Sequence, residues 1–79
     1  MGERRVMGEG EAESFILALL ADGRRRTTQE VEAATSGEGV QCPDSPVKFL
    51  MKMQLRGRIE GEMDPKARGW VWWRRDAVG

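Results

Sequence analysis

Apolar residues recur along this chain with two different periods, and the change of period divides it into elements. From Glu9 onward, Ala12, Phe15, Ile16, Leu19 and Leu20 follow one another at three- and four-residue steps, which gathers them on one face of a helix. Glu9, Glu11 and Glu13 crowd its start, where the helix dipole favours negative charge, and Gly23 supplies a left-handed stop. Thr27-Thr28-Gln29-Glu30 reads as a capping box, in which the Thr27 hydroxyl accepts from the Glu30 amide and the Glu30 carboxylate accepts from the Thr27 amide. The short helix it opens turns Val31 and Ala34 inward and runs out near Ser36-Gly37, before a loop marked by Gly37, Gly39 and Pro43. Asp44 or Ser45 caps a third helix, with Pro46 at its first position, where no amide hydrogen is needed. That helix is predicted to run through Arg56 to a stop at Gly57, with Val47, Leu50, Met53 and Gly57 inward and Phe49 at the edge.

After Gly57 the period falls to two. Ile59, Gly61 and Met63 point one way, and Arg58, Glu60 and Glu62 the other. Asp64 to Gly69 holds the turn residues, and Trp70 to Arg75 is rich in strand formers, so a β-hairpin is expected. Residues 1–8, rich in glycine and charge, read as a flexible lead-in, residues 9–76 as a single domain and 77–79 as a tail. The expected class is α+β, mainly α.

Three helices followed by a two-stranded hairpin resemble the winged helix-turn-helix superfamily. Thr27-Thr28-Gln29-Glu30-Val31 is similar to the start of its second helix. Val47, Leu50, Met53, Gly57 and Ile59 match the spacing of its third helix and first wing strand. The resemblance covers roughly Glu11 to Arg75 and rests on pattern rather than on a signature. One departure is the loop Ser36 to Asp44, longer than the tight turn of simple helix-turn-helix proteins.

Composition removes several functions. The 79 residues carry 13 basic and 13 acidic side chains, with no histidine, no tyrosine and one cysteine. A neutral chain is not a sequence-blind polyanion binder, which is strongly basic. One thiol without imidazoles builds no zinc site and no intrachain disulfide, so neither metal nor cofactor is expected. Cys42 has no histidine to activate it, the carboxylates fall in exposed-looking clusters, and no glycine pattern cradles a phosphate, so an enzyme is not expected. The longest apolar run, Phe15 to Ala21, is far short of the ~18 residues a membrane span needs. Met1-Gly2 lacks the serine or threonine a myristoylation signal requires, because Val6 stands there, and no apolar leader follows, so a cytoplasmic location is expected.

Net neutrality conceals segregation. Arg24 to Arg26, Asp44 to Arg58 and Pro65 to Gly79 each total +3, against equal negative totals elsewhere. On the third helix Lys48, Lys52 and Arg56 stand four apart, with Ser45 at its start, and the hairpin turn adds Lys66 and Arg68. In the superfamily the exposed side of this helix enters the DNA major groove and the wing touches the flanking backbone. The resemblance therefore implies duplex DNA as partner, with Ser45, Lys48, Lys52, Arg56, Lys66 and Arg68 as contacts, and a role in transcription regulation. A second reading stays open. Met51 and Leu55 lie outside the inward face, and a two-stranded hairpin packed on helices hides only one of its faces. Trp70 and Trp72, on one face, would then join them in a homodimer or protein-partner surface.

Overall fold

A computed structural model describes residues 3–75, so the proposed tail 77–79 and the Met1-Gly2 start lie outside the described residues. Three helices and five strands succeed one another as β1 (Arg5–Val6), α1 (Glu9–Leu19), β2 (Arg26–Thr27), α2 (Thr28–Gly37), β3 (Val40–Gln41), α3 (Pro46–Leu55), β4 (Glu60–Asp64) and β5 (Gly69–Trp73). The class is a small mixed α+β fold.

The local signals act where they were expected. Thr27 Oγ1 accepts from the Glu30 amide at 3.0 Å, and the Thr27 amide donates to Glu30 Oε1 at 2.9 Å, closing the capping box of α2. Gly57 adopts φ of 76°, the left-handed conformation, directly after the Arg56 cap that ends α3; Gly23, with φ of 77°, instead sits in the turn after α1, which has already ended at its Leu20 cap. Ser45 occupies the N-cap of α3 but makes no side-chain cap bond; the Asp44 carboxylate accepts the Ser45 amide instead, at 2.8 Å.

Three expectations need correction. Residues 5–7 are not a loose lead-in: Arg5–Val6 pairs in parallel with Val40–Gln41, and Met7 is buried. The hairpin is not two-stranded. Arg26–Thr27 pairs with β5 to give a three-stranded sheet in the order β2-β5-β4, which moves β5 from the edge to the centre. Separately from that edge pairing, the β5 side chains are covered, wholly or in part, by neighbours on each face. Val71 and Trp72 are buried, Trp70 stacks on Trp72 with centroids 5.4 Å apart, and the Arg25 guanidinium sits 4.1 Å above the Trp73 ring.

The third correction concerns facing. Phe49, Leu50 and Met53 form the buried face of α3, whereas Val47 is exposed and Gly57 lies beyond the helix end. Just before the hairpin Ile59 is buried, whereas Met63, toward the turn, is exposed. The core joins Ala12, Ile16 and Leu20 of α1, Val31 of α2, Phe49, Leu50 and Met53 of α3, and Ile59 and Trp72 of the hairpin region. Trp72 anchors it: the indole N–H donates to Thr28 Oγ1 at 2.8 Å, and the ring lies against Gly61, its cross-strand neighbour.

Candidate nucleic-acid interface

α3 and the β4–β5 hairpin lie side by side, and Val47 at the start of the helix shares a cleft with Ala67 and Arg68 of the turn. Gln54 links the two elements by donating from Nε2 to the Gly61 carbonyl at 3.0 Å. At the turn, Asp64 accepts the Lys66 amide through its side chain (2.9 Å) and the Ala67 amide through its carbonyl (3.1 Å). Arg68 then takes φ of 58°, an uncommon conformation for a residue with a Cβ. Beside the turn, Thr27, Thr28, Gln29, Val47, Arg68 and Trp70 help line a cleft of about 330 Å³ between the start of α2, the start of α3 and the β4–β5 hairpin.

The six basic-side candidates do not stand alike. Ser45, Lys48, Lys66 and Arg68 are exposed, and among the described residues Lys48, Lys66 and Arg68 make no ion pair. Lys52 is exposed but lies 3.4 Å from the Asp44 carboxylate. The Ser45 amide and the Lys52 ammonium both hold the Asp44 carboxyl below its usual range, so at neutral pH this aspartate is firmly charged.

Arg56 departs furthest from expectation. It was placed on one row with Lys48 and Lys52, yet its guanidinium lies 3.6 Å from Glu13 and 3.9 Å from Glu9 on α1. The reason is helical geometry: every fourth residue advances about 40° around the axis, so two such steps carry Arg56 away from the outward pole and toward α1. Arg58 shares Glu13, at 3.2 Å. The arginine run after α1 is likewise occupied, since Arg24 and Arg26 face Asp22 and Arg25 faces Glu62. Segregation by segment therefore overstates the free positive charge, because the fold brings basic and acidic segments together.

Of the apolar candidates, Trp72 is 0% exposed and unavailable to any partner, and Trp70 is half-covered by its stacking on Trp72. That corrects the assignment of Trp72 to an open surface, because the core packs on its side of the sheet, whereas Trp70 remains partly exposed. Met51 is partly buried against the core, whereas Leu55 is 87% exposed. Sequence reasoning missed the exposure of Val47 and Met63, 36% and 57%, of which Val47 lines the cleft beside the turn. It also missed the part played by Thr28 and Gln29. The capping box marked the start of α2, but nothing in it told that this start would face the wing.

Cys42 is buried, and burial together with the nearby Glu32 charge raises its thiol pKa, which keeps it protonated and unreactive at neutral pH. Among the described residues no group of three or more His, Cys, Asp or Glu could hold a metal ion, and no described helix is long and apolar enough to cross a membrane. No family model, curated protein or solved structure matches this chain.

Proposed function

We propose that this chain is a small winged-helix protein that binds duplex DNA, presenting the outer side of α3 to a groove and the β4–β5 turn to the flanking backbone, in the service of transcription regulation. Three helices followed by a hairpin keep the element order of that superfamily, and β2 ties the hairpin back beside the start of α2. The observation that carries the reading is the placement of three surface cations that make no ion pair among the described residues. Lys48 on α3 and Lys66 and Arg68 on the turn bracket the surface, while their neighbours Lys52 and Arg56 are held by carboxylates. Charge available for phosphate is thus concentrated where a groove-bound helix and its wing would meet a duplex.

The test is duplex binding measured against salt concentration, followed by fluorescence anisotropy. Three phosphate contacts give a slope of log affinity against log salt of up to about −2.7. Replacing Lys48, Lys66 and Arg68 by alanine flattens it, each by up to ~0.9, whereas Arg56→Ala leaves it unchanged. A parent protein without salt-sensitive duplex binding at low ionic strength defeats the proposal.

A second reading draws on one observation, the 87% exposure of Leu55. It makes this surface a contact for a second copy of the chain or another protein. Sedimentation at micromolar concentration would then show a dimer that Leu55→Lys dissociates.

A further inference from the structure

Resting on the duplex-binding reading, we infer that α3 reads sequence chiefly through thymine 5-methyl groups, using the apolar side chains of Val47, Met51 and Leu55. These residues are spaced four apart: Val47 and Leu55 are exposed, and Met51, partly buried against the core, lies between them with the rest of its side chain open. Along the axis they cover ~12 Å, the length of three to four base-pair steps.

Base readers are normally hydrogen-bonding side chains, and on this helix those of the usual kind are committed elsewhere. Gln54, which could pair with adenine, donates to the Gly61 carbonyl within the fold. Arg56, which could pair with guanine, faces Glu9 and Glu13. Lys52 faces Asp44. Of the polar side chains, Lys48 remains free and Ser45 lies at the very start of the helix, where a serine hydroxyl discriminates little between bases.

What α3 offers to base edges is therefore a narrow apolar stripe flanked by Lys48 and Lys52. The major-groove feature complementary to such a stripe is the thymine methyl, the one apolar group the base pairs present there. Burying it against Val47, Met51 or Leu55 removes apolar surface of both partners from water, while Lys48 and the wing cations hold the helix in place through phosphates. Affinity and sequence preference thus come from different side chains.

The experiment uses the whole chain. A tight-binding duplex is selected from a random pool at low salt, and its thymines are replaced one at a time by deoxyuridine, which deletes the methyl and keeps the hydrogen-bonding edge. At each contacted thymine the affinity should fall roughly fourfold, the worth of one buried methyl, and thymines outside the footprint should be silent. Leu55→Ala and Val47→Ala change exposed side chains and should each erase the deoxyuridine effect at particular positions while leaving the salt slope intact. Salt-sensitive duplex binding that is indifferent to deoxyuridine at every position overturns this inference and leaves the proposed function standing. Absence of duplex binding overturns both, and a dimer dissociated by Leu55→Lys would then assign the stripe to protein contact.

Discussion

Adding a single methyl group at Gly61 should destabilise the fold, although glycine is ordinarily a weak residue in a strand. A Cβ built there falls 2.4 Å from Cε3 and Cζ3 of Trp72, well inside the ~3.5–4.0 Å at which carbon atoms attract. The indole has little freedom to retreat. It is 0% exposed, its N–H is committed to Thr28 Oγ1 at 2.8 Å, and Trp70 is stacked against it. The strand would have to yield instead, at the cost of its register with β5 and of the bond from Gln54 to the Gly61 carbonyl. Overpacking of this kind costs about 1–3 kcal/mol, and the ~0.5–1 kcal/mol that alanine normally gains over glycine offsets only part of it. For a domain of this size each kcal/mol moves Tm by roughly 4–8 °C, so Gly61→Ala should melt about 10 °C below the parent in circular dichroism. Urea unfolding should show a lower midpoint with an unchanged slope. Gly10→Ala is the control, because Gly10 lies inside α1 with nothing within 4 Å of the added Cβ, and it should be neutral or stabilising. Trp72→Leu, costly by itself, should remove most of the Gly61→Ala penalty, giving a coupling of about 1–3 kcal/mol between the two sites. A Gly61→Ala protein that melts at or above the parent temperature refutes the packing argument.

Further outcomes follow from the caps, the carboxylates and the thiol. Thr27→Ala removes the acceptor for the Glu30 amide and should cost roughly 0.5–2 kcal/mol in urea unfolding; an unchanged midpoint would count against the cap. Glu11, Asp22 and Asp44 are all held below the usual carboxylate range, by the Arg5 side chain, the Arg24 amide and the Ser45 amide respectively. A group whose pKa is lower in the folded state stabilises the fold above its unfolded value and loses that contribution as pH falls through the folded one. The urea midpoint should therefore drop below about pH 4, and Asp44→Asn should shallow that drop; a midpoint flat from pH 7 to pH 3 would contradict it. Iodoacetamide should alkylate Cys42 far more slowly in the native protein than in urea at the same pH, and equal rates would show that the thiol is not shielded.

The elements written into short stretches of the chain were legible without a structure. The capping box at Thr27, the proline at the head of α3 and the left-handed stop at Gly57 each complete their interactions within a few residues, so the local sequence specifies them. The helical phase of α3 was legible only approximately, because several apolar residues spread around it and the neighbouring elements select which are buried. They select Phe49 over Val47, and the same rotation carries Arg56 to the acidic start of α1. The two-residue strands β1, β2 and β3 left no periodic signal at all, since alternation needs more than two positions to be seen. Their pairing depends on where the chain returns after α1 and α2. That return makes β5 a central strand and buries Trp72, while Val6, Val47, Leu55 and Met63 stay exposed. Caps and turns arise from bonds between near neighbours and are properties of a segment. Burial and ion pairing arise between segments far apart in the chain, and for Trp72 and Arg56 only the closed tertiary structure decided them.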